Sequence, residues 1–204
     1  MKKSLIQLLV MISLIFSDGI LSADINKGKE KSVTCVACHG ENGISVSPIW
    51  PNLAGQHLQY LKSQMLEFRK GQNGKRNNPV MYGITITLSD DDIESLAMYY
   101  SSLDKSVGLT KDEYLVKGQS IYRGGNLKYK IQACIACHGP NGQGNLPAGI
   151  PVLSGQHALY IEQQLKNFRS GARSNDPNKM MRNVAHRMTD DEIRSVAEYI
   201  QGLY

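Results

Sequence analysis

The chain has 204 residues, enough for one large domain or two small ones. Hydrophobic residues make up 41% of it and charged residues 20%, an ordinary globular balance. The net charge is +5, but Lys and Arg are scattered with no basic run interleaved with aromatics, which excludes a nucleic-acid footprint.

Residues 1–23 read as an export signal. Lys2 and Lys3 form a charged start, Leu5 to Phe16 is mostly apolar, and Leu21-Ser22-Ala23 ends in the small residues a signal peptidase needs. The apolar run is short for a membrane span and Asp18 interrupts its far side. Cleavage after Ala23 leaves Asp24 as the first mature residue; the alternative is an uncleaved N-terminal anchor. Either way the body lies outside the cytoplasm, and no other stretch is long and apolar enough to span a bilayer.

A first helix starts at about Ile25 and runs toward CVACHG, residues 35–40. A C-x-x-C-H run is the attachment signature of c-type haem. Thiols at i and i+3 of one helical turn point the same way. Cys35 and Cys38 can therefore form thioether bonds to the two vinyl groups of one porphyrin, and His39 can reach its iron. Taken singly, the run could also be half of a zinc site or a thioredoxin-type redox pair. Further on, Leu58, Leu61, Met65 and Phe68 fall at helical spacing, in a middle helix ending near Gly71. Asn78-Pro79 opens an irregular segment carrying Met81, and Ile84-Thr85-Ile86-Thr87 shows a brief strand-like alternation. A last helix opens with Ser89-Asp90-Asp91-Asp92, which resembles a capping box. Behind it Ile93, Leu96, Ala97, Tyr100 and Leu103 form one apolar face.

The polar stretch 104–111 is a linker short enough to keep what flanks it adjacent. Beyond it the pattern repeats. Adding 100 to a residue number carries Pro51, Leu53, Gly55, Gln56 and His57 onto Pro151, Leu153, Gly155, Gln156 and His157. The same offset carries Met81 onto Met181, and Asp90, Ile93, Ser95 and Tyr99 onto Asp190, Ile193, Ser195 and Tyr199. CIACHG, residues 134–139, is offset by 99 from its twin, and the lead-in from Gly118 to Cys134 is longer than that from Gly28 to Cys35. Thr189 with Glu192 is a second capping box. The chain thus reads as all-α: two copies of one haem-binding domain, 24–103 and 112–204. All four cysteines fall in the twin motifs, each with its trailing histidine. Two covalently bound haem c groups on Cys35, Cys38, Cys134 and Cys137 are favoured over a zinc or disulfide arrangement of the same residues.

His39 and His138 each supply one axial iron position. The other decides whether the haem carries electrons or binds small molecules. Met65 and Met98 lie inside amphipathic helices, where a methionine is usually core filler. Met81, in a loop able to wrap over the far haem face, is the first candidate. In the second copy the repeat offset selects Met181. Met180, aligned with Val80, is the alternative register, and Met188 aligns with the core position Leu88. Pro51 and Pro151 are placed to offer a carbonyl to the axial histidine, or are simple turn prolines. His57 and His157 read as surface or haem-edge residues, and His186 has no counterpart. Arg69, Arg76, Arg169 and Arg173 are either propionate partners or solvated surface charge.

Two C-x-x-C-H domains in tandem, each with P-x-L-x-G-Q after the motif and a later methionine before a capped helix, resemble the dihaem cytochrome c4 family. The segments 123–125 and 175–177 also fit its second domain, and the likeness covers 24–204. The resemblance implies two class I cytochrome c domains related by a pseudo-twofold axis, with haems facing each other near the interface. It implies Cys35, Cys38, His39 and Met81 around the first haem, and Cys134, Cys137, His138 and Met181 around the second. It further implies a periplasmic electron carrier, soluble or loosely membrane-associated, between a quinol-oxidising complex and a haem–copper terminal oxidase. The competing expectations are a cytochrome subunit of a sulfur-oxidising dehydrogenase and a dihaem peroxidase-type enzyme, which needs an open iron site and acid–base residues above it.

Overall fold

A computed structural model describes residues 23–204; apart from Ala23, the expected export signal lies outside them. Among the described residues no helix is long and apolar enough to cross a membrane. The first copy contains α1 (Ile25–Lys31), the one-turn α2 (Val36–His39), α3 (Leu58–Arg69), α4 (Pro79–Thr85) and α5 (Asp90–Ser101). The second repeats the order with α6 (Asp112–Gly124), α7 (Ile135–His138), α8 (Ala158–Ser170), α9 (Met180–Ala185) and α10 (Asp190–Gln201). The described residues contain three isolated β-bridges and no sheet.

Each copy is closed by its first helix crossing its last, α1 on α5 and α6 on α10. The crossings need glycine. A Cβ on Gly28 would lie 2.0 Å from the Ser95 carbonyl oxygen, and one on Gly118 2.3 Å from that of Ser195. α3 packs against α5 and α4, and α8 against α10 and α9. Both last helices start in full capping boxes, Ser89 with Asp92 and Thr189 with Glu192.

Two local expectations are corrected. Met81 is not in irregular chain: Asn78 caps α4 by accepting the Met81 N–H at 3.0 Å, and Pro79 takes the first helical turn, where no N–H is needed. Ile84-Thr85-Ile86-Thr87 is the end of that helix and its turn, not a strand. Thr85 is fully buried, and its hydroxyl donates back to the Met81 carbonyl at 2.8 Å.

The linker is tied to the second copy. Lys105 Nζ donates to Ser154 Oγ at 2.8 Å, the Leu109 carbonyl accepts from Gln201 Nε2 at 3.0 Å, and Lys111 pairs with Glu198 at 2.7 Å.

The copies face each other through reciprocal contacts. Arg76 stacks over Phe68, 4.5 Å from the ring centre, and donates to the Tyr160 hydroxyl across the interface. Arg173 stacks over Phe168 at 4.4 Å and donates to the Tyr60 hydroxyl at 2.8 Å. Gln64 and Gln164 accept from both guanidinium groups. Both arginines are buried, so neither is solvated surface. Burial, then the neighbouring Arg76 charge, push the Arg173 pKa down. Burial alone would raise the Tyr60 phenol, but the two guanidinium groups outweigh it and lower it. Arg69 and Arg169 have another role: each ties α3 or α8 to the start of the last helix, through the carbonyl of Leu88 or Met188 and the carboxylate of Asp90 or Asp190.

Candidate haem centres

Each C-x-x-C-H segment folds into a single helical turn. The His39 N–H donates to the Cys35 carbonyl and the His138 N–H to that of Cys134, both at 2.9 Å. The turn places the two thiols i, i+3 and leaves the histidine at its end. A glycine of positive φ then redirects the chain, Gly40 at +79° and Gly139 at +77°. No disulfide joins any of the four cysteines.

His39 and His138 are buried, and each ring is pinned on one side. His39 Nδ1 lies 2.9 Å from the Pro51 carbonyl oxygen, and His138 Nδ1 3.1 Å from that of Pro151. A carbonyl can only accept, so Nδ1 carries the proton and Nε2 is left with a bare lone pair. Burial lowers the pKa of both rings by more than the carbonyl bond raises it, which keeps them neutral near pH 7. A neutral imidazole fixed through its second nitrogen is the state a metal ligand needs. The prolines thus supply accepting carbonyls to the site and are not turn residues alone.

The zinc alternative fares worse. Among the described residues no group of three or more His, Cys, Asp or Glu side chains converges to hold a metal ion. Burial pushes the Cys134 thiol up to about 12.

The methionines separate by environment. Met181, on α9, is half-buried and packs against the second core together with Cys134, Ile135 and Leu153. Met180 beside it is 44% exposed. Met188 is buried core, as its alignment with Leu88 implies. Met81 is half-buried at the corresponding place on α4. In the first copy, Met65 packs against the small core of Leu61, Leu96, Ala97, Tyr99 and Tyr100, in company with Cys35, Leu53 and Leu58. Burial, with Cys35 and Tyr99 beside it, raises the Tyr100 phenol above its ordinary range. An apolar wall around a thiol pair, a neutral histidine with a free Nε2 and a methionine on a separate short helix fit a haem c in each copy.

His57 and His157 depart from the surface reading. His157 Nε2 donates to the Ser45 carbonyl of the other copy at 2.9 Å, whereas His57 Nε2 is buried with no hydrogen-bond partner. His186 is exposed. Sequence reasoning missed the interface residues Asn52, Gln56 and Gln156. The repeated Gly-Gln was visible, but nothing local showed that each glutamine reaches the opposite copy.

A doubled all-α unit with a C-x-x-C-H turn and a pinned histidine in each half defines a dihaem c-type cytochrome. The family model for cytochrome c matches residues 25–104 and again 115–204. Cytochrome c4 of Azotobacter vinelandii is 39% identical over 213 residues, covering 100% of both chains. The crystal structure of reduced recombinant cytochrome c4 from Pseudomonas stutzeri superimposes with a TM-score of 0.87 at 40% identity, covering 90% of this chain and 100% of that one. A thiosulfate dehydrogenase electron acceptor of Thiomonas intermedia is 38% identical over 83% of this chain and 78% of its own. The chain belongs to the cytochrome c4 family, as two tandem class I cytochrome c domains. It carries two covalently bound haem c groups and works as an electron carrier with redox partners, not as an enzyme.

Proposed function

We propose that the chain is a periplasmic shuttle that passes single electrons from a quinol-oxidising complex toward a haem–copper terminal oxidase. Residues 1–23 direct export, and units 24–103 and 112–204, joined by 104–111, each hold one haem. Cys35 and Cys38 anchor the first haem, with His39 and Met81 as axial ligands. Cys134 and Cys137 anchor the second, with His138 and Met181. The iron supplies a one-electron Fe(III)/Fe(II) couple. The chain's own residues would surround it with apolar side chains and orient the histidine, and with His39 and Met81 or His138 and Met181 holding the iron no site would be left for substrate. The observation that carries this reading is the doubled pinned histidine, Nδ1 on a proline carbonyl and Nε2 free, each matched by a half-buried methionine on a separate helix.

A second reading places the same carrier downstream of thiosulfate oxidation. The likeness to the Thiomonas intermedia electron acceptor favours it. The purified, haem-loaded protein distinguishes the two donors. Rapid reduction by quinol-energised membranes, followed by reoxidation by oxidase-containing membranes, supports the shuttle. Reduction by thiosulfate and a thiosulfate dehydrogenase, with none by quinol, replaces it with the second reading.

A further inference from the structure

The Pro51 carbonyl that accepts from His39 Nδ1 belongs to the same peptide unit as the Asn52 N–H. That N–H crosses the domain interface and donates to Gln156 Oε1 at 2.9 Å. The mirror contact exists as well. The Pro151 carbonyl accepts from His138 Nδ1, and the Val152 N–H of that same peptide donates to Gln56 Oε1 at 2.9 Å. Each glutamine also donates through Nε2 to the next carbonyl, Gln156 to Asn52 at 2.8 Å and Gln56 to Val152 at 2.9 Å. Each is held in place from behind, because its Oε1 also accepts the backbone N–H of the following histidine, His57 at 3.0 Å and His157 at 3.1 Å. Asn52, Gln56 and Val152 are buried and Gln156 is half-buried, so these bonds are largely shielded from water.

Hydrogen bonds in series polarise one another. A peptide whose N–H donates to a glutamine oxygen has a more negative carbonyl, and such a carbonyl accepts more strongly from the imidazole. An imidazole that gives up more of its Nδ1 proton is a stronger donor through Nε2. We propose that the two glutamines are crossed positioning residues: Gln156 tunes the first-domain haem through the Asn52–Pro51 peptide and His39, and Gln56 tunes the second-domain haem through the Val152–Pro151 peptide and His138. Neither haem's potential is then a property of its own domain alone. It is set by the closed interface, and a partner that loosened the interface would shift both. The inference rests on His39 and His138 being the axial ligands.

The test uses the full haem-loaded protein and the variants Gln156→Leu, Gln56→Leu and Gln156→Glu. Redox titration gives the two potentials, and hyperfine-shifted proton resonances of the histidine rings and methionine methyls assign each to its haem. A stronger histidine donor favours Fe(III), so loss of the glutamine raises the potential. Gln156→Leu is expected to raise that of the first-domain haem alone, moving its Fe(III)/Fe(II) ratio at fixed potential by about threefold. Gln56→Leu is expected to raise that of the second-domain haem alone. Gln156→Glu, which keeps an acceptor oxygen, is expected to bring the first potential back toward the parent value. Parallel shifts of both haems, a shift in the glutamine's own domain, or no shift in a folded variant overturns the inference. Absence of hyperfine-shifted His39 and His138 ring protons in the parent protein overturns the ligand reading itself. Their presence without the crossed pattern overturns only the inference.

Discussion

Met180 and Met181 are neighbours at the start of α9, yet only Met181 turns inward, onto the side of the core that carries Cys134 and Ile135. That difference favours Met181 over Met180 as the proposed second axial ligand. Met181→Ala is expected to remove about half of the weak long-wavelength absorbance that a methionine sulfur gives on ferric haem, because one of two such bonds is lost. Met180→Ala is expected to leave it unchanged, and the opposite outcome would move the ligand by one residue. In the sequence the repeat offset picks Met181, aligned with Met81, over Met180, aligned with Val80, and the structure adds the direction in which each faces. The sequence also exposed the cysteine–histidine turn, because the requirement there is local: two thiols and a ring within one helical turn. It also exposed the proline carbonyl, which lies 12 or 13 residues downstream of its histidine in both copies.

Among the elements, the crossings of first and last helices set the frame that holds each haem turn. Gly118 lies against the Ser195 backbone, whereas Gly124, near the end of the same helix, has nothing within 4 Å of where a Cβ would be. Gly→Ala inside a helix gains roughly 1 kcal/mol of propensity, but overpacking a tight contact costs about 1–3 kcal/mol. At Gly118 the clash is with backbone and cannot be relieved by a rotamer. Gly118→Ala is therefore expected to lower stability by about 2 kcal/mol and Gly124→Ala to be neutral or mildly stabilising, measured as urea midpoints at constant slope. Equal effects at both sites would show that the crossing tolerates separation.

The capping box of α5 has a second duty. Asp92 is the third residue of that helix, and its carboxylate lies 3.3 Å from both Lys27 Nζ and Lys31 Nζ of α1. Burial pushes its pKa up, but Ser89, Lys27 and Lys31 outweigh this and bring it from 3.8 to about 2. A carboxylate depressed in the folded state contributes stability that is present above its unfolded pKa and lost as pH falls through the folded value. The first domain should therefore lose stability between pH 3.8 and about 2, followed by circular dichroism. Asp92→Asn should flatten that slope while lowering stability at neutral pH, and an unchanged acid transition would show that Asp92 does not set it. In the second copy the corresponding Glu192 is bridged by Asn126 from the longer lead-in; burial alone would raise its carboxyl, but Thr189 and Asn126 outweigh it and hold it below its usual range.

For the molecule as a whole, the repeat offset of about 100 pointed to two equivalent domains but not to the face on which they meet. Equivalence is a property of sequence; contact is a property of shape. Arg76 and Arg173 perform mirrored roles yet are 97 positions apart, because the loops before them differ in length, so the repeat register concealed the pairing. Gln56 and Gln156 keep the register, but each meets backbone about 100 residues away, a partner no periodicity can identify. The function was legible earlier than the interface, because covalent haem demands a rigid local signature whereas domain docking needs only complementary surfaces.

Both irons, closed by two protein ligands each as proposed, are expected to serve electron transfer alone. Optical redox titration of the purified protein, with carbon monoxide added to the reduced form, tests this most directly. Two reversible one-electron steps, low-spin spectra in both states, methionine–iron absorbance from both haems in the oxidised form, and no carbon monoxide adduct are expected. A high-spin component, or a carbon monoxide spectrum formed by either haem in the untreated protein, would contradict the proposed closure.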